Sequence, residues 1–129
     1  MSNYNPTEAL KQYRQLGLEV EVSSASPHRL IQLLFEGALA RLAAAKGALE
    51  RGDIPNKGKY LGQAISIIGG LRNSLDMNVP GELPGQLDSL YEYMEARLLE
   101  ASHQNDISMV TEVTELLKTV KSGWDGIAP

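Results

Sequence analysis

The chain has 129 residues, 43% hydrophobic and 22% charged, which suits one globular domain with its own core and argues against overall disorder. It has no cysteine, so a disulfide framework, a thiolate metal site and a thiol nucleophile are all excluded. The net charge of −4 is unevenly spread: residues 82–115 hold eight acids against one base, Arg97, a balance that repels phosphate backbones and argues against nucleic-acid binding.

Residues 1–22 differ in texture from the rest and are expected to form an N-terminal cap segment. Met1 to Gly17 is polar and lacks the apolar run of a signal peptide. Thr7 is placed to cap a short helix through about Leu16, with Ala9, Leu10, Tyr13 and Leu16 along one side. Gly17 ends it, and Leu18 to Val22 alternates as an extended segment does. So short a helix is marginal alone and needs a surface to dock on.

Residues 23–129 read as a four-helix bundle, so the fold class is all-α. Ser26 followed by Pro27 is a helix start: Ser caps free amides, and proline's missing N–H costs nothing at the first position. Leu30, Leu34, Ala38, Leu42, Ala45 and Leu49 line one face, Ile31 and Phe35 widen it, and Gly52 is the natural C-terminal cap. The second helix is expected over 55–75, with Leu61, Ala64, Ile65, Ile68, Leu71 and Leu75 inward. Ile67 falls off that stripe, facing outward or toward a different neighbour. Asp76 to Gly81 is a connector, and Pro84 is the expected start of the next helix, carrying Leu87, Leu90, Tyr91, Met94 and Leu98 through about His103. Asn105 or Asp106 then caps a last helix with Ile107, Val110, Val113, Leu117, Val120 and Trp124 at steps of three and four. Helices joined by such short links pack antiparallel.

Nothing in the pattern points to catalysis. His28 and His103 sit in no metal-ligand spacing; His28 is expected in solvent near a helix start and His103 at the negative end of a helix. The pairs Glu92/Glu95 and Glu112/Glu115 lie one turn apart with no burial to shift a pKa. No nucleophile elbow or phosphate-cradling glycine loop is present, so an enzyme is not expected and no cofactor is implied. No run spans a membrane, and a soluble protein of the cytoplasm is expected. Gly37, Gly47, Gly58, Gly62, Gly69 and Gly70 fall inside two helices. They either permit close helix approach or make a shallow surface on which another chain lies.

The run Ser24 to Leu39 resembles the signature of the flagellin-specific export chaperones, the FliS family: a small residue and proline, then Leu-Ile, then a Leu-Tyr-Asp-Gly-Ala-like stretch. Leu75-Asp76, Gly81-Glu82-Leu83 and Leu90-Tyr91-Glu92-Tyr93-Met94 are similar to further blocks of that family, and Tyr13 and Trp124 match its N-terminal tyrosine and terminal tryptophan. Phe35-Glu36 departs from the commoner Tyr-Asp, and Pro84 intrudes where the family usually has no proline. The resemblance implies an antiparallel helical bundle in the bacterial cytosol that binds the C-terminal segment of flagellin. It would prevent premature polymerisation and deliver the subunit to the flagellar type III export apparatus, whose gate is a further expected partner. Neither cofactor nor nucleic acid is implied, nor membrane insertion, and the expected state is a monomer or weak homodimer. Leu34, Phe35, Ala38, Leu71, Leu75, Tyr91 and Tyr93 are the expected groove contacts, with Leu10 and Tyr13 covering part of that groove in the free protein. Stripe residues build both core and groove walls, and the sequence does not separate the two. The alternative is a homo-oligomeric helical adaptor without an export role.

Overall fold

The computed structural model describes residues 3–16 and 26–127; the extended segment expected at Leu18 to Val22 lies outside them. Among the described residues there are five helices and no named strand: α1 (Pro6–Gln15), α2 (Pro27–Arg51), α3 (Ile54–Asn73), α4 (Leu83–Gln104) and α5 (Ile107–Asp125). Each boundary has a local cause. Ser26 accepts from the Arg29 amide at 3.1 Å and opens α2, whereas Gly52, left-handed at φ 69°, closes it. The adjoining Asp53 then caps α3 through the Asn56 amide. Asn105, also left-handed at φ 53°, ends α4, and Asp106 caps α5 by accepting from Ser108.

Three boundaries differ from expectation. α1 is capped by Asn5, not Thr7: its side chain accepts from the amides of Thr7 and Glu8 at 3.0 and 3.1 Å, with Pro6 at the first helical turn. α3 stops at Asn73, because the Ser74 hydroxyl donates to the Gly70 carbonyl at 2.7 Å and the chain then turns to pair Leu75 with Tyr4. α4 begins at Leu83, one residue before Pro84, which the first helical turn accommodates.

α2 packs on α3, α3 on α4, α4 on α5 and α5 on α2, with no packing of α2 on α4 or of α3 on α5. The four helices therefore surround one core. Leu34, Phe35, Ala38 and Leu42 from α2, Leu61, Ala64, Ile68 and Leu71 from α3, Tyr91, Met94 and Leu98 from α4, and Val110, Val113 and Leu117 from α5 are all buried in it. With few aromatic rings, branched aliphatics supply this packing, each worth about 1.5–3 kcal/mol when fully buried. Two polar fasteners sit at the rim. Arg72 of α3 reaches Asp88, Glu92 and Glu95 of α4 at 2.7, 2.9 and 3.3 Å. Buried Lys57 donates from α3 to the Ser102 carbonyl and the Asn105 side chain at 2.9 and 2.7 Å, tying down the end of α4.

α1 lies outside this ring, against α2 and α3 only. It is the neighbour toward which Ile67 points: that side chain is buried and shares a groove wall with Leu16.

Candidate functional site

The seat of α1 is the place where the chain covers its own apolar surface with a separable element. Three anchors hold it. At its start the backbone makes a short antiparallel join to the end of α3: the Asn5 amide donates to the Ser74 carbonyl and the Asp76 amide to the Asn3 carbonyl, both at 2.7 Å. Between these bonds Tyr4 pairs with Leu75. The Tyr4 ring turns inward, where its hydroxyl meets the Tyr91 hydroxyl at 2.5 Å and its ring makes a T-shaped contact with Trp124 at 5.1 Å and 80°. In the middle, Ala9 and Tyr13 are buried, and Leu10 is half-buried against the core. At its end, α1 comes so close to α3 that a Cβ on Gly70 would lie 3.1 Å from the Leu16 Cδ1 and 3.5 Å from the Gln12 Cβ. A methyl there would press on Leu16, which favours the close-approach reading of the mid-helix glycines at that position. Gly58 and Gly62 have open space where a Cβ would stand.

The electrostatics of the Tyr4–Tyr91 pair follow from burial. Desolvation pushes the Tyr4 phenol up to about 12, partly offset by its bond to Tyr91. Burial raises Tyr91 further, and the charge and hydrogen bond of Tyr4 add to it. Both phenols are neutral at ordinary pH, and every buried side-chain polar atom among the described residues has a partner. Tyr91 therefore depends on a residue of the N-terminal segment for its hydrogen bond.

Trp124 connects this seat to the end of α5. His28 stacks on it (4.7 Å, 17°), the His28 ring Nε2 contacts the Trp124 carbonyl at 2.9 Å, and the Trp124 indole N–H donates to the His28 carbonyl at 3.0 Å. His28 is thus a packing partner, contrary to the expected solvent position. His103 is exposed in the last turn of α4.

Of the expected groove contacts, Leu34, Phe35, Ala38, Leu71 and Tyr91 have no measurable exposure and Leu75 has 7%. They are core or covered residues, and both Leu75 and Tyr91 pair with Tyr4, the first through its backbone and the second through its hydroxyl. Tyr93 is apart from them and 42% exposed, donating to Glu112 at 2.6 Å; Arg97 binds the same carboxylate at 2.6 Å. Those two bonds hold the Glu112 carboxyl below its usual range, and the same carboxylate raises the Tyr93 phenol. Tyr4 and the His28–Trp124 pair were not expected at the site; Gly70 was among the mid-helix glycines singled out in the sequence. Tyr4-Asn5-Pro6 carries a readable signal, since an aromatic residue just before an Asn-Pro helix start is a staple position.

Among the described residues, no cluster of three or more His, Asp or Glu could hold a metal, and no helix is long and apolar enough to cross a membrane.

Comparison with known proteins follows the same lines. The model of the family described as flagellar protein FliS matches residues 9–129. The flagellar secretion chaperone FliSB of Pseudomonas aeruginosa is 60% identical over 121 residues, 94% of this chain and 96% of that protein. The flagellar secretion chaperones FliS of Salmonella typhimurium and Vibrio cholerae are 44% and 40% identical, each over 121 residues, covering 93% and 94% of this chain and 90% and 89% of their own. The chain therefore belongs to the flagellar protein FliS family.

Proposed function

We propose that this chain is a cytosolic flagellar secretion chaperone: it binds the C-terminal segment of flagellin, keeps it from polymerising and hands it to the flagellar type III export apparatus. One observation carries the client-binding part: a ten-residue helix occupies an apolar seat on α2 and α3 that its own length makes exchangeable. An amphipathic helix of the client can take that seat in its place. Tyr13, Leu10 and Tyr4 are then the cap. Leu71, Leu75 and Tyr91, with Leu34, Phe35 and Ala38 behind them, supply the surface uncovered when the cap leaves, and Tyr93 marks a further contact on α4. The short links Gly52-Asp53 and Asn105-Asp106 support an antiparallel order for α2 to α5. The relatives, flagellar secretion chaperones by name, support the export role.

The test is calorimetric titration with a peptide spanning the flagellin C-terminal segment. One-to-one binding at micromolar affinity or tighter, about −8 kcal/mol or better, is expected. No heat change at several temperatures, with helicity intact by circular dichroism, would overturn it.

A further inference from the structure

The trough that seats α1 does not end where α1 ends. Beyond Gln15 and Leu16 it continues between α2 and α3 as an open cavity of about 590 Å³ walled by Arg41, Gly58, Gly62 and Ile67. A second hollow of about 250 Å³, lined by Ala40, Ala44 and Tyr60, shares Arg41, Lys59 and Gln63 with the first, so the two are one groove. Along α3 it runs from Ser66 to Gly58, about 12 Å at 1.5 Å per residue, or roughly two helical turns. Its floor is low because Gly58 and Gly62 carry no side chain and nothing lies within 4 Å of where a Cβ would be.

Its charge is one-sided. Arg41 reaches only the Gly37 carbonyl, at 3.4 Å, and Lys59 lies 5.6 Å over the Tyr60 ring. Among the described residues neither has a carboxylate at ion-pair distance; Lys11, Arg14, Lys46 and Lys57 have none either, and what sets Arg41 and Lys59 apart is that both line this groove. Cations left unpaired beside an open groove favour an anionic occupant.

We propose that the client helix that replaces α1 runs on for about two turns past the point where α1 stops, and carries carboxylate side chains there, facing Arg41 and Lys59. This rests on flagellin being the client and displacing α1, as proposed above. It adds that α1 covers only part of the trough. The client would then outcompete the cap through contacts the cap never makes, and salt would weaken its grip.

The test titrates the flagellin C-terminal peptide into the full-length protein, its Arg41→Glu/Lys59→Glu variant and its Gly62→Leu variant, each at low and high salt. The charge reversal should weaken binding at least about tenfold and reverse the sign of the salt dependence, since like charges then face each other across the groove. Gly62→Leu should weaken it by filling the floor. Unchanged thermal unfolding of both variants keeps the loss local. If both bind like the parent, the extended groove is unused and the proposal is refuted, while the chaperone role stands. If only Gly62→Leu weakens binding, the acidic character is wrong. If the parent itself does not bind, the functional proposal falls and takes this one with it.

Discussion

Tyr4→Phe is the smallest change that tests the cap. It removes one oxygen, leaves the ring against Trp124, and strands the Tyr91 hydroxyl in a site with no measurable exposure. A buried hydroxyl deprived of its partner costs about 1–3 kcal/mol, and the cost applies only while the cap is closed, since water reaches Tyr91 once it opens. Two readouts follow. Unfolding in urea, followed by the emission of Trp124, the only tryptophan, should show the full loss in stability. Client affinity should move the other way. A client that binds only the open form has an apparent dissociation constant raised by the closed population, so weakening closure by about 1–3 kcal/mol tightens binding by up to about 5- to 150-fold, until the open form dominates. Adding Tyr91→Phe removes the stranded group, and the double variant should recover much of the stability lost in Tyr4→Phe. If the single variant lowers stability but leaves client affinity unchanged, closure and binding are not competing and the cap model is refuted.

Three further outcomes are expected. The neutral forms of Tyr4 and Tyr91 are the ones folded in, so their stabilisation is full below the ordinary phenol value near 10 and is lost as pH rises through about 12. Tyrosinate absorbance should therefore show a late-titrating fraction coincident with loss of structure, and Tyr4→Phe should shrink it; five phenols titrating together near 10 in an intact fold would contradict this. Gly69→Ala has room, with only a Glu95 oxygen at 3.7 Å, and should stabilise by about 0.5–1 kcal/mol through helix propensity. Gly70→Ala should gain less, because its methyl presses on Leu16; equal gains in urea unfolding would mean that α1 does not rest on Gly70. Deleting residues 1–16 uncovers Leu75, Tyr91 and the Trp124 ring, and should both tighten client binding and promote self-association in sedimentation; neither effect appearing would remove the cap from the mechanism.

The helices of the ring were legible because their signals are local. Ser26-Pro27, Gly52 and Asp106 act within four residues of themselves, and the apolar steps of α2, α3 and α5 name the buried face directly. What escaped was set by distant partners. His28 looks like a solvated residue at a helix start until Trp124, 96 residues on, supplies a ring and two backbone-mediated bonds. Ile67 looks misplaced until α1 gives it a second surface to face. Leu75 continues the stripe of α3 on paper, but Tyr4 draws it out of the helix. At the candidate site the same limit is sharper. Leu34, Phe35, Ala38, Leu71, Leu75 and Tyr91 have the periodicity of core residues because they are buried. Periodicity reports burial and does not say whether the covering element is permanent.

The nature of that covering element makes the difference. A core helix such as α2 presents a continuous stripe, and its removal would expose most of the interior at once. α1 instead holds by a few points: a phenol pair, one buried tyrosine, one glycine contact and a two-bond backbone join. Contacts so few and local suit the proposed opening without unfolding of the ring. One anchor, Tyr4, acts on residues of two other helices, Tyr91 on α4 and Trp124 on α5, so departure of Tyr4 is felt across the bundle and not only along α2 and α3. A client that supplies a hydroxyl or carbonyl to Tyr91 and an apolar face to Trp124 would restore those contacts. A client lacking them would leave a buried polar group unpaired, a penalty large enough to discriminate between otherwise similar amphipathic segments.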